Sequence, residues 1–552
     1  MNQSGGWVLN RRRFLGAAFQ GAAGAALAGG ATTLAVREAQ ALFTDDSSPI
    51  ARVNGASSTD FGGDNAARAH AILWDKEAYL ADKGGVPAPS ETVHAIVVGG
   101  GLSGLTAAYR LRSLGPLLLE QAPRFGGNAK GEKWEDISYA IGSAYINRPE
   151  KGSAPAKLID ELHLTREMRS MQSEDEATLM PNGKIISPFW EGVTDPARAD
   201  EFRRVRTALQ QIHDSRYPSI PHDAESDISQ DELFALDRQS FISWARANLG
   251  PLHPHVEELF HEYCWDSMAG APDELSAAQV LNFFTADLEG MAGFPGGNSR
   301  IAEALRRKLL SSRARIRSTC FVVDVAADSS GVNVCYEQPD GRLKTVRAGH
   351  CVISAPKFVA RVLIRDLPAD QDAAIQRMHY RAYVVANVLV KRRIPSPTYG
   401  VFQLREKLPV DPTTEMRERA FTSMVFGGWS AHDKPNRSTL TLYKAFPYED
   451  GRRELYKPTA FGDMKSRFEA AIPSLLDTVG VSQADVAGLR LTRWGHALPL
   501  AAVGQVADGT FACAARTVRE RIHFAHQDDW ANPCFETAVG EAERAAAEVL
   551  KG

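Results

Sequence analysis

The stretch VHAIVVGGGLSGLTAAYRLRSLGPLLLE, residues 93–120, decides the fold. A short apolar run, Ile96-Val97-Val98, feeds Gly99, Gly101 and Gly104 in G-x-G-x-x-G spacing. Leu105, Ala108 and Leu111 recur at helical spacing, and Leu117-Leu118-Leu119 ends on Glu120. This order predicts strand, tight turn, helix and second strand, the unit that holds an ADP-bearing dinucleotide. Gly99 makes the turn, Gly101 lets the backbone approach a diphosphate, and Gly104 lets the helix pack on the strand. Leu102 and Ser103 open the helix, whose free N–H groups face the phosphates. Glu120 is placed to accept hydrogen bonds from ribose hydroxyls.

The next residues narrow the cofactor. Arg124, Gly126, Gly127 and Asn128 form a basic double-glycine turn directly after the acid. A flexible turn with a cation suits a second approach to the diphosphate. This segment resembles that of flavoproteins of the amine oxidase superfamily, which carry an arginine and a Gly-Gly pair here. The resemblance implies FAD rather than NAD. It also implies an α/β fold: a Rossmann-like FAD-binding domain with a β-meander and an inserted α+β substrate domain.

The carboxyl end resembles the same superfamily. Residues 521–528 read as a strand ending in polar residues, and a helix is predicted from Phe535 to Leu550. The resemblance assigns Asp528 to the ribitol and Phe535, Glu536 and Thr537 to a helix start facing the flavin pyrimidine. The positive end of that helix stabilises negative charge as the flavin takes a hydride. Val322, on the first meander strand, is the residue expected at the adenine. Trp494 resembles the tryptophan placed beside the flavin, where it attracts a cationic amine. His496 is a candidate proton acceptor. Asp266, Asp287 and Glu289 are candidates to hold a substrate ammonium.

Two features depart from the superfamily pattern. His526 and Gln527 stand where Gly-Glu is usual; this version resembles a bacterial subgroup near spermidine dehydrogenase, as do residues 294–298 and 493–496. The lysine that many members carry beyond the Ser-Ala-Pro strand end is replaced by Arg361 and Val362, and Lys357 comes too early. The second departure implies slow reaction with oxygen and a cytochrome or quinone as electron acceptor.

The chain has 552 residues, 44% hydrophobic and 24% charged, with net charge −4. That fits a protein of two or more domains and gives no basis for nucleic-acid binding. Arg11-Arg12-Arg13-Phe14-Leu15 resembles the twin-arginine export motif, followed by an apolar run and Ala39-Gln40-Ala41 as a cleavage site. The resemblance implies export, already folded, by the twin-arginine machinery to the periplasm or exterior. Six cysteines form no C-x-x-C pair, and Cys513 and Cys534 match no flavin-attachment motif, so the FAD is expected to be non-covalent.

The expected organisation is a leader over 1–41 and an N-terminal extension and linker over 42–92. The FAD-binding domain takes 93–155, 293–360 and 486–552; the substrate domain takes 156–292 and 361–485. The leading expectation is an exported FAD-dependent oxidoreductase that oxidises a polyamine-like amine by hydride transfer to flavin N5. Two alternatives stay open: desaturation or isomerisation of an apolar substrate, and a non-catalytic flavin-binding electron-transfer scaffold.

Overall fold

The computed structural model describes residues 47–171, 176–396, 398–405 and 412–551. The expected leader lies outside them. Strand β1 (Pro89–Val98) ends in the buried run Ala95 to Val98 and enters the glycine turn. Helix α1 (Leu102–Arg110) and strand β2 (Leu117–Leu119) follow, with β2 parallel to β1 and Ile96 opposite Leu117. Strand β3 (Arg315–Arg317) adds to the far side of β2. Strands β4 (Phe321–Asp328), β5 (Gly331–Glu337) and β6 (Leu343–Ile353) form the meander. Strand β6 returns parallel to β1, and β7 (Ile522–Phe524) pairs in parallel with its last residues. The parallel order β3-β2-β1-β6-β7 is that of a dinucleotide-binding sheet, whose ligand lies beyond the carboxyl ends of the strands.

Both faces of this sheet are covered, which is why its strands read as continuous apolar runs. Ala95 and Val97 pack with Leu105, Leu305 and Val539 under α1, the helix Ser299–Leu310 and the C-terminal helix α2 (Phe535–Lys551). Ile96 and Val98 point to the opposite face, against Val322, Val334 and Phe524.

A second sheet of eight strands carries Val486–Pro499 next to Tyr380–Val390, with Tyr383 opposite Trp494. The expected domain boundary at 486 is therefore corrected: residues 486–499 pair with the substrate-side sheet. The expected linker also needs correction. Ile50–Val53 pairs with Gly131–Trp134, Gly62–Gly63 pairs with Thr492 and Arg493, and Pro89 already lies in β1. Within 42–92 lie two helices, Ala66–Leu73 and Lys76–Asp82, the second capped by the Asp75 side chain. Strand β6 is continuous over Leu343–Ile353. Its polar midpoint His350 is satisfied by His523 and Arg521, so the strand runs on without a break. Four helices of the inserted region, Ala199–Ser215, Phe241–Asn248, Pro254–Met268 and Ala277–Asp287, form where apolar periodicity places them, and Gln230–Asp237 adds another. Among the described residues no helix is long and apolar enough to cross a membrane.

The C-terminal segment is locked to the sheet by one buried ion pair. Lys357, just beyond β6, pairs with Asp529, both wholly buried, and its ammonium lies 4.1 Å from the centre of the Phe524 ring. Truncating Lys357 leaves Asp529 buried with only the more distant Arg544, 3.6 Å away, and losing such a buried partner costs about 3–5 kcal/mol. Lys357→Met should therefore lower the unfolding free energy by about that much in urea titration; a loss below about 1 kcal/mol would show that the pair does not hold the segment.

Candidate active site

The glycine turn is backbone packed on backbone. Gly99 sits at φ +104°, and a Cβ there would lie 2.5 Å from the Ser354 carbonyl oxygen. A Cβ on Gly104 would lie 1.9 Å from the Gly99 carbonyl oxygen. Neither obstacle is a side chain that can swing away, so both positions demand glycine. Gly101 precedes α1 in extended conformation and bridges Gly126. A Cβ on Gly127 would come 3.0 Å from the Gly101 Cα, and the Gly126 N–H donates to the Gly100 carbonyl at 2.8 Å. The double-glycine turn thus lies directly on the helix N-terminus. Leu102 there is partly accessible and Ser103 is buried.

Glu120 closes one end. Its Oε2 accepts from the Gly100 N–H at 2.6 Å and its Oε1 from the Ala122 N–H at 2.7 Å. Each oxygen retains lone-pair capacity for a ribose hydroxyl. Val322 is brought to this end as well, two residues past Cys320, whose N–H donates to the Glu120 carbonyl at 2.9 Å. Its side chain is buried in the sheet core. Glycine cradle, helix N-terminus and ribose acid together fit an ADP-bearing dinucleotide. Ser354 Oγ and Glu536 Oε2 are buried without a hydrogen-bond partner among the described residues, and a ligand's polar edge would satisfy them.

From this turn a closed set of contacts reaches the other segments. The exposed Asn128 accepts from Ser143 N–H at 2.9 Å through its carbonyl and donates through Nδ2 to the Ala497 carbonyl at 3.3 Å. Gln527 donates to the same Ala497 oxygen at 3.3 Å. Trp494, nearly buried, donates from Nε1 to the Ile141 carbonyl at 2.7 Å. A Cβ on Gly142 would lie 2.2 Å from the Asn128 carbonyl oxygen. Asn298 donates to Ser143 Oγ at 2.6 Å and to the Tyr145 carbonyl at 2.7 Å. Glu536 Oε1 accepts from Asn147 N–H at 2.8 Å, which fixes the start of α2; Phe535 and Thr537 there are buried.

Three expected site residues are held by further contacts within the protein. Arg124 donates from Nη1 to the Gly131 carbonyl at 3.2 Å and the Pro49 carbonyl at 3.5 Å, so it also ties down the N-terminal strand. Asp528 is wholly buried, its Oδ2 accepting from the Lys357 N–H at 3.0 Å and the Tyr380 hydroxyl at 2.6 Å. Its Oδ1 lies 2.9 Å from His526 Nδ1. Burial pushes this carboxyl up, but His526, Tyr380 and the Lys357 N–H outweigh it and hold Asp528 below the usual range. Oδ2 therefore orders the turn, while Oδ1 is buried without a hydrogen-bond partner among the described residues, beside the partly accessible His526 and Gln527. His496 stacks on Phe358 at 4.2 Å between centroids, and burial pushes its pKa down to about 3. Such a neutral imidazole holds no abstracted proton near neutral pH.

The His526 departure has a structural reason. Its side chain accepts from the Asp528 N–H at 3.2 Å, while Asp529 Oδ2 accepts from the His526 N–H at 3.2 Å, a reciprocal cap on the short turn Gln527–Asp529.

On the other side of Gly142 lies an aromatic cluster. The Tyr443 hydroxyl donates to the Gly142 carbonyl at 3.0 Å, and the Tyr443 and Tyr383 rings are 5.9 Å apart. Tyr145, Tyr399 and Trp429 continue the cluster, with centroids at 6.0 Å and 5.3 Å. Asp266 lies beneath these rings: its Oδ1 accepts from the hydroxyls of Thr422 at 2.7 Å, Tyr383 at 2.8 Å and Ser423 at 2.8 Å. Among the described residues Oδ2 accepts from none, and the residue is partly accessible. Burial raises the Asp266 pKa, and the three hydroxyls partly offset it. Asp287 accepts from the Tyr263 hydroxyl at 2.6 Å, and burial followed by Asp287 raises the Tyr145 pKa. Glu289 is elsewhere, on the surface with Gln210 at 3.1 Å. The tyrosines come from segments more than 200 residues apart, and no short motif marks them. A carboxylate among apolar helix residues at 266 was the one available signal.

Comparison with known proteins agrees with this geometry. A family model described as flavin-containing amine oxidoreductase matches residues 102–550. The chain is 24% identical over 503 residues to oxidoreductase PigB of Serratia sp., covering 80% of this chain and 73% of that one. It is 24% identical over 301 residues to a probable flavin-containing monoamine oxidase A of Dictyostelium discoideum, covering 51% and 62%. Among solved structures it is similar to a putrescine oxidase variant with redesigned cofactor binding, with TM-score 0.64 and 17% identity over 84% of this chain and 100% of that one. Cyclohexylamine oxidase from Brevibacterium oxydans gives TM-score 0.60 and 18% identity over 83% and 99%. At these identities the solved structures speak for the fold.

Gly104→Ala should abolish cofactor retention, because the new methyl meets backbone at the turn. The purified, folded variant is expected to lack visible flavin absorbance; a variant that keeps full flavin content would contradict the turn geometry.

Proposed function

The chain belongs to the flavin-containing amine oxidoreductase family, and from that premise we propose that it oxidises a cationic amine. It is an FAD-dependent oxidoreductase: the ADP half is what the glycine cradle and Glu120 fit, and the family carries flavin. When bound, FAD supplies the two-electron acceptor.

The observation that carries the substrate reading is Asp266 under four tyrosines, joined to Gly142 and hence to Trp494. Aromatic faces attract an ammonium, and the donor-free Oδ2 pairs with it. The rings hold the substrate C–H toward Trp494 and Gly142 and shed water. The Tyr383, Tyr399 and Tyr443 phenols are all pushed well above their ordinary range by burial, so they stay neutral donors. The start of α2, fixed by Asn147, offers positive potential where negative charge develops. The amine loses a hydride and a proton to give an imine, and water hydrolyses the imine to a carbonyl compound and a smaller amine or ammonia.

Electrons then pass to a cytochrome or quinone rather than rapidly to oxygen. In support, Lys357 is consumed by Asp529, and Arg361 is paired with Asp372 at 2.5 Å. The FAD is held without a covalent bond. Cys513 supports this by lying 3.9 Å from Asp370, on a helix packed against a different part of the chain. Export by the twin-arginine route to the periplasm or exterior is supported by residues 11–15 and 39–41.

Anaerobic titration with monoamines and diamines should bleach the bound flavin. Asp266→Asn should raise the amine concentration for half-maximal bleaching roughly tenfold or more, the weight of one charge-assisted contact. In the unmodified protein, bleaching should weaken as pH falls through the raised Asp266 pKa, because the protonated acid no longer pairs with an ammonium. Bleaching by a polyene or porphyrinogen and by no amine would overturn the proposal in favour of apolar desaturation.

A further inference from the structure

Three lysines are buried among the described residues, and two of them have protein acceptors. Lys357 pairs with Asp529, and Lys444 donates to the Met416 carbonyl. Lys130 differs: only 6% of it is exposed, and among the described residues its Nζ donates to no acceptor. A little-exposed ammonium with no protein acceptor is costly, so its place in the fold needs a reason.

Its position supplies one. The Lys130 carbonyl accepts from the Ile141 N–H at 3.1 Å, which pins the residue between the double-glycine turn and the Gly142 turn. The side chain runs past Gly126, where a Cβ would meet Lys130 Cγ at 3.2 Å. Nζ lies 6.0 Å from the centre of the Trp494 ring, at the outer limit of a cation–π contact. Burial, the largest cause, pushes the Lys130 pKa down and Arg124 adds to it; Glu120 is the foremost charge opposing them, ahead of Asp64. Lys130 therefore sits between the ribose acid and the tryptophan on the flavin side. In FAD the diphosphate lies between the ribose and the flavin. The cation expected there, Arg124, donates to the Gly131 and Pro49 carbonyls.

We propose that Lys130 is the cation that pairs with the diphosphate of bound FAD. The helix N-terminus of α1 supplies N–H donors, and Lys130 supplies a full positive charge against a dianionic group.

The test compares Lys130→Met and Lys130→Arg with the unmodified protein, all prepared as apoprotein and refilled. Lys130→Met should weaken FAD binding roughly ten- to a hundredfold, as for loss of one charged hydrogen bond. It should weaken ADP, which keeps the diphosphate and lacks the flavin, by a similar factor. The same variant should raise the melting temperature of the apoprotein, because it removes an unpaired buried charge. Lys130→Arg should retain FAD affinity within about threefold, since the charge is kept. Unchanged FAD affinity in Lys130→Met would overturn the proposal. So would weakened FAD with unchanged ADP, which would move the lysine to the flavin ring. A fall in apoprotein melting temperature would mark a merely structural lysine and overturn it too.

Discussion

The site depends on backbone meeting backbone at distances that exclude a Cβ. Gly99 against Ser354, Gly104 against Gly99 and Gly142 against Asn128 each bring two chain segments closer than any side chain permits. These approaches seat α1 on its strand and lay the double-glycine turn on its N-terminus. They cost conformational entropy in the unfolded chain, which the buried sheet beneath offsets through apolar contact on both faces. Without that rigid support the glycine turns would sample many conformations, and the helix N-terminus would have no fixed direction.

Polar closure does the remaining work. One carbonyl, that of Ala497, receives both Asn128 from the first third of the chain and Gln527 from the last. The buried Lys357–Asp529 pair and the reciprocal cap at His526 hold the C-terminal turn against the sheet. Most buried charge in this region is consumed in such pairs. Two groups beside the Gly142–Trp494 junction are left uncommitted, and they have opposite sign. The Lys130 ammonium lies toward the anionic cofactor and Asp266 Oδ2 lies toward the aromatic cluster. This division suits an enzyme that holds a dianionic diphosphate on one side and a cationic substrate on the other.

The fingerprint, Glu120 and the helical insertion were legible in the sequence because their demands are local. A turn needs glycine at fixed offsets, and a buried helix face needs apolar residues at a fixed period. The C-terminal helix start was legible for the same reason. What escaped was set by pairing between distant segments. Residues 486–499 read as part of the cofactor domain until their hydrogen bonds to 380–390 were seen. Arg124 and Lys130 are six residues apart with similar charge, and only packing against Pro49, Gly126 and Trp494 tells their places apart. The contacts of Asp528 Oδ2 with the Tyr380 hydroxyl and the Lys357 N–H come from distant segments and have no local pattern. The tyrosine cluster is assembled from strands and turns that share no local pattern.

The central claim is that residues 99–104, 126–130, 141–147 and 535–540 form one cofactor site through a single connected set of contacts. Hydrogen–deuterium exchange of the apoprotein with and without added FAD tests it most directly. All four segments should gain protection together, at the same FAD concentration. Protection confined to 99–104, with the other three unchanged, would contradict the account.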